Sequence, residues 1–262
     1  MAEFTTLLYS VSRHVATVTL NRPERRNALN QTAYAEIEKA FRAASADGDV
    51  RAVIVTGAGQ SFCSGEDVKE MMTGEARPAT SAPREARPTP AAMAALECAK
   101  PVIAAVNGPA VGWGMELALY ADIRLASENA RFAELFVKRG LVADVGGFYR
   151  LPKLVGPSKA AELLFTGETI DAHEALRIGL VSEVLPTDKL MPRAETLAGA
   201  IAANPPLAVQ AMKEGLRLWA EGDPRVVGTW AIETIYRLFQ TEDHREGVKS
   251  FLEKRAPVFK GR

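Results

Sequence analysis

Apolar and polar positions along the first 60 residues follow two alternating periods. Residues 14–20 (HVATVTL) set apolar or β-branched side chains at every second position, the pattern of a strand with one buried face. Residues 30–46 carry Tyr34, Ile37, Ala40, Phe41 and Ala44 at helical spacing. Residues 51–56 (RAVIVT) form a short apolar run closed by Gly57-Ala58-Gly59, the profile of a buried strand. A short helical piece follows at 67–72. Residues 73–90 break the pattern. Four prolines, alternating Arg and Ala, and few apolar anchors predict a long loop there, either covering a binding site or disordered.

Periodic order resumes with a helix at 91–99, a strand at 102–106 (VIAAV), a glycine-rich turn at 107–114, a helix over 115–120 and a strand at 121–126. From residue 158 onward the chain reads as mostly helical, with stops at Gly167, Gly179, Pro186, Pro205-Pro206 and Pro224. The expected fold class is therefore α/β, a parallel-type sheet system with helices outside it. The last third reads as an appended helical unit.

Composition narrows the function classes. At 262 residues, 47% hydrophobic and 24% charged, the chain can bury one sizeable core, or a core with a small appendage. Lys+Arg and Asp+Glu both total 32, so no net field draws nucleic acid or an anionic membrane. Cys63 and Cys98 are too few for a disulfide framework and lack metal-ligand spacing, so both read as small apolar residues in a reducing compartment. Residues 1–10 show no secretory pattern, and no apolar run approaches the roughly 18–20 residues of a membrane span. A cytoplasmic protein is expected, with no nucleic acid or membrane as partner and no metal.

Chemistry concentrates in two segments built alike. Phe62-Cys63-Ser64-Gly65-Glu66-Asp67-Val68 follows the strand at 51–56 and leads into a helix. Residues 107–117 (NGPAVGWGMEL) follow the strand at 102–106 and do the same. Each strand–glycine turn–helix unit presents unpaired main-chain N–H groups at a helix start. If the two ends converge, one N–H from each can point at a single carbonyl oxygen, an oxyanion hole.

With these turns in view, the chain resembles the enoyl-CoA hydratase/isomerase (crotonase) superfamily over almost its whole length. The stretches that carry the resemblance are Asn21-Arg22-Pro23 with Asn27-Ala28-Leu29, then residues 62–71, 100–122, 140–156 and 166–184. Phe251-Leu252-Glu253-Lys254-Arg255 with Pro257 and Phe259 also fits. The resemblance implies a spiral of repeated ββα units over residues 1–200. It implies a C-terminal helical region, 201–262, that builds homotrimers or dimers of trimers. It also implies an acyl-CoA substrate, with no cofactor beyond the coenzyme A moiety.

By the same resemblance the oxyanion N–H groups are those of Glu66 and Trp113, where Trp113 stands at a position commonly glycine. Glu116 falls where hydratases carry one catalytic glutamate. The second hydratase glutamate is replaced by Phe136, which cannot move a proton; Glu134, two residues away, is expected to face elsewhere. Asp144 falls where several isomerases of the superfamily place a catalytic aspartate, and where one dehalogenase branch places a nucleophile. It also reads as a turn cap beside Gly146-Gly147. The implied chemistry is enolate stabilisation with proton transfer by Asp144 and Glu116, in a site that Phe136 dries. Double-bond isomerisation and hydration both stay open, with hydrolysis through Asp144 or a non-catalytic acyl-CoA- or RNA-binding role as alternatives. For the coenzyme, the resemblance points to Arg25, Arg26 and Ala28, to Ser64, Gly65, Asp67 and Val68, and to Phe251 and Lys254 of a neighbouring subunit.

Overall fold

Alternating side-chain directions let each central strand serve two cores at once. In the computed structural model, which describes residues 4–71, 88–219 and 222–262, β1 (Leu7–Ser12) and β2 (Val15–Leu20) form an antiparallel hairpin. Helix α1 (Gln31–Ala46) follows, its start fixed by Asn30, whose side chain accepts from the Ala33 N–H at 3.0 Å. Then come β3 (Ala52–Gly57), the short α2 (Val68–Met71), α3 (Pro90–Leu96), β4 (Val102–Val106), β5 (Pro109–Val111), α4 (Trp113–Tyr120), β6 (Ile123–Ser127) and β7 (Arg131–Ala133). A 3₁₀ turn (Leu135–Arg139) and a π-helical turn (Gly146–Arg150) lead into α5 (Leu151–Val155) and α6 (Pro157–Thr166). The chain continues through β8 (Ile170–Asp171), α7 (Ala172–Arg177), β9 (Glu183–Leu185), α8 (Thr187–Ala202), α9 (Pro206–Trp219), α10 (Pro224–Phe239) and α11 (Glu242–Glu253). Most of the loop expected at 73–90 lies outside the described residues.

The larger sheet has strand order β1-β2-β3-β4-β6-β9 and is parallel from β2 onward; the smaller has order β5-β7-β8. Two single bridges, Leu29↔Glu66 and Cys63↔Ala110, extend the smaller layer. Each turn of the chain thus lays one strand in the first layer, one extended segment in the second, and then a helix. This is the expected ββα spiral. In β3, Val53 and Val55 face the core under α1 and α4, while Ala52 and Ile54 face Leu190, Ala194 and Ala198 of α8.

The short strands β5, β7 and β8 were not read from the sequence, and the large sheet differs from the reading in two places. The strand β1 was not expected, and it pairs along its whole length with β2. The last third is also not simply appended: β9 is the sixth strand of the large sheet, and α8 covers that sheet's second face. The three residues of β9, Glu183-Val184-Leu185, are too few to show a period, and pairing with β6 depends on long-range contacts. No described helix is long and apolar enough to cross a membrane.

Candidate active site

The two glycine turns converge. Cys63 N–H donates to the Pro109 carbonyl at 3.0 Å, and Val111 N–H returns a bond to the Cys63 carbonyl at 2.9 Å. A β-carbon added at Gly65 would lie 3.5 Å from the Trp113 amide nitrogen, so the two backbones nearly touch. Only glycine at position 114 permits this, since a β-carbon there would sit 2.1 Å from the Cys63 carbonyl oxygen.

Both proposed amides are open. Trp113 begins α4, so its N–H has no acceptor within the helix. At the bridge with Leu29, the neighbours of Glu66 make the bonds: Leu29 N–H donates to the Gly65 carbonyl and Asp67 N–H donates to the Leu29 carbonyl, both at 2.8 Å. The N–H of Glu66 itself is left facing the other way, the side on which Gly65 meets Val111 and Trp113. Among the described residues no main-chain carbonyl accepts from either amide.

Helix α4 is buried at all eight positions, and Glu116, its one charged residue, enters the interior in the first turn, 0% exposed. Its carboxylate accepts from Asp144 N–H at 2.8 Å, from Gly147 N–H at 3.1 Å and from the Tyr120 hydroxyl at 3.1 Å. The π-helical turn, a form that recurs at functional sites, brings these N–H groups together; a β-carbon at Gly146 would collide with the Glu116 carboxylate at 2.2 Å. Burial raises the Glu116 carboxyl to about 7, with the Asp144 charge adding to the rise and the three donors opposing it. Burial and then the Glu116 charge push the Tyr120 phenol up as well, so it stays a donor.

Asp144 is half-buried, and its Oδ2 accepts from the indole N–H of Trp113 at 3.0 Å and from the Thr89 hydroxyl at 2.8 Å. Its Oδ1 accepts from Val145 N–H at 2.8 Å, so the local turn contact foreseen for it is also made. The Trp113 ring packs edge-on against Tyr34 (centroids 4.7 Å apart) and Tyr120 (5.7 Å), which fixes the indole against Asp144. Tyr34, partly buried against the α1 core face, donates to Glu66 Oε1 at 3.4 Å. The Trp113 side chain therefore both fills the core and grips the aspartate, a contact spanning 31 positions that the sequence does not signal.

Glu134, expected to face elsewhere than Phe136, is 1% exposed at the head of the 3₁₀ turn, where side chains two residues apart point in different directions. Burial, then the charges of Glu116 and Asp144, raise its carboxyl well above the ordinary range. Phe136 stands over Gly112, the residue that starts α4.

The residues expected around the coenzyme divide into two groups. Arg25 and Arg26 are exposed, Ala28 is buried, and their turn is laced to the Ser64–Asp67 segment: Ser64 N–H donates to the Arg26 carbonyl at 3.1 Å. Arg26 and Asn27 both adopt left-handed φ, 53° and 57°, which costs about 1–2 kcal/mol per residue and is held by the Asn27 side chain bonding Ala58 and Ser61 carbonyls. Asp67 is engaged within the chain, its N–H with Leu29 and its carboxylate 3.3 Å from the Arg22 guanidinium, so neither is open to a ligand. Val68 is exposed at the start of α2. Phe251 lies in α11 instead, with Lys254 capping that helix's C-terminus, and Phe251 lines an apolar cavity of about 620 Å³ between α9, α10 and α11. Among the described residues no cluster of three or more His, Cys, Asp or Glu could hold a metal. Both cysteines are free and buried.

The fold thus brings two turns with unbonded main-chain amides together beside the buried Glu116 carboxyl. The sequence pattern of the enoyl-CoA hydratase/isomerase family matches residues 10–262. The chain is 40% identical over 253 residues to (E)-benzylidenesuccinyl-CoA hydratase of Thauera aromatica, covering 96% of this chain and 97% of that protein. It is 38% identical over 257 residues to 2,3-dehydroadipyl-CoA hydratase of Escherichia coli K12, covering 98% and 99%. The crystal structure of an enoyl-CoA hydratase subunit from Geobacillus kaustophilus HTA426 superposes with a TM-score of 0.90 at 36% identity, with both chains covered completely. The protein belongs to the enoyl-CoA hydratase/isomerase family and is an acyl-CoA-processing enzyme of that type.

Proposed function

We propose that the protein binds an enoyl-CoA thioester with its carbonyl oxygen between the Glu66 and Trp113 N–H groups, and shifts the double bond by proton transfer. Asp144 takes a proton α to the thioester, and Glu116 shares in its movement. The observation that carries this reading is the meeting of the two open amides beside the Glu116–Asp144 pair. Desolvation gives Glu116 a proton affinity matched to neutral pH, where acid–base catalysis works best.

Hydration is the second reading. It is favoured by the activities in the names of the relatives, both hydratases, and in it Glu116 activates the water. In the proposed complex Arg25, Arg26, Ala28, Ser64, Gly65 and Val68 line the coenzyme, and no other cofactor is used. Phe251 and Lys254 complete the site from a neighbouring subunit of a homotrimer or a dimer of trimers. Exposed apolar side chains on the C-terminal helices, among them Met212, Leu216, Tyr236 and Leu252, support assembly through residues 201–262. A cytoplasmic location fits this reading.

Incubation with a panel of CoA thioesters in heavy water, followed by mass spectrometry, tests it. Exchange, water addition and bond migration leave distinct masses or retention times. Exchange with bond migration is the expected result, and Asp144→Asn lowers it by about 10²–10⁴-fold. Full turnover in that variant removes Asp144 from the mechanism, and no exchange with any thioester removes the enolate reading.

A further inference from the structure

Glu134 is buried with neither carboxyl oxygen bonded to a partner among the described residues. It stands at the start of the 3₁₀ turn, yet its side chain caps nothing there, and no Lys or Arg among the described residues pairs with it. A structural carboxyl would be expected to do one or the other, since leaving buried polar groups unsatisfied destabilises the fold. Its position is nonetheless fixed. Gly112 N–H donates to the Ala133 carbonyl at 2.8 Å, and Val111 pairs with Ala133, so Glu134 is held beside the turn that opens α4. Glu116 and Asp144 both act on it electrostatically. A carboxyl in such company, without a cation, keeps its proton.

We propose that Glu134 is the acid that returns a proton to the substrate during double-bond migration, the task Phe136 cannot perform. This rests on the enolate reading above. For a 3-enoyl thioester, the base carboxylate (Asp144, with Glu116) takes the C2 proton, and the C–H electron pair becomes part of a dienolate held at the two amides. The Glu134 O–H then protonates C4, the double bond settles between C2 and C3, and Glu134 is left as a carboxylate. The proton taken by the base passes to Glu134, restoring both groups. No atom or electron is gained or lost, and no co-reactant is needed.

The test separates the two half-reactions in Glu134→Gln and Glu134→Met. Hexanoyl-CoA in heavy water reports removal of the C2 proton alone, and conversion of 3-hexenoyl-CoA to 2-hexenoyl-CoA reports the complete migration. Both variants are expected to keep C2 exchange within several-fold of wild type while migration falls by at least about 100-fold. The Met variant removes an unpartnered polar group, so it is expected to melt above wild type and provides a folded protein if the Gln variant does not. Migration at the wild-type rate in either folded variant overturns the proposal. So does a loss of exchange equal to the loss of migration. Absence of exchange in the wild-type protein instead removes the enolate reading beneath it.

Discussion

The two strand–glycine–helix units offer the same chemical object, a main-chain N–H, from opposite surroundings. The first ends in α2, four residues with no buried side chain, whose Glu70 sits 44% exposed in an ion pair with Arg22 at 2.8 Å. The second ends in α4, buried at every position, whose Glu116 is sealed from solvent. An amide needs only a fixed backbone to be useful, and either setting provides one. A carboxylate whose proton affinity must lie near neutrality needs water removed, and only the second unit provides that. The molecule divides the two demands between its two turns.

The largest effect expected from this contrast is at Glu116. Glu116→Gln should lower turnover of the responding CoA thioester by about 10²–10⁴-fold. It should also change how stability depends on pH. Burial raises this carboxyl from 4.5 to about 7, so the folded state resists its ionisation. Protonated below about pH 4.5, it carries no penalty in either state. As pH rises through 7 the penalty becomes complete, at about 3 kcal/mol. Melting temperature is therefore expected to fall between pH 5 and 8, and to fall less in Glu116→Gln; an equal slope in the two proteins breaks the argument.

Next is the seam between the units. Gly114→Val forces the turns apart at the Cys63 carbonyl, with kcat down about 10²–10³-fold and stability down about 1–3 kcal/mol, read by kinetics and thermal melting. Trp113→Phe keeps the aromatic packing but removes the indole donor from Asp144. A hydrogen bond to a charged group contributes about 1.5–3 kcal/mol, so kcat should drop about 10–100-fold while KM changes less. Smallest is the mirror of the first substitution. Glu70→Gln, at the exposed end of the first unit, should shift stability by less than about 1 kcal/mol and leave kcat near wild type.

The parts of this site that were legible in the sequence are those written locally. Glycines after an apolar run announce a turn and an open helix start; within those segments it is the family resemblance that singles out Glu66, Trp113 and Glu116. What could not be read is tertiary. The Trp113–Asp144 bond joins the start of α4 to a turn 31 positions further on, and the burial of Glu134 at the head of the 3₁₀ turn shows in no local period. In the fold, β2, β3 and β4 stood out through runs of β-branched and apolar residues, whereas β9 has three half-buried residues and no period of its own.

The packing of α8 has a consequence for the order of events during synthesis. Every reactive group proposed here lies before residue 150, so a nascent chain of that length already holds the whole catalytic inventory. It still exposes Ile54, Ile103 and Leu125, which Leu190, Ala194 and Ala198 of α8, flanked by Met191, Leu197 and Ile201, will cover. Activity must therefore wait for a helix that contributes nothing to the chemistry, and a chain stalled before it would present an oily sheet face to its neighbours.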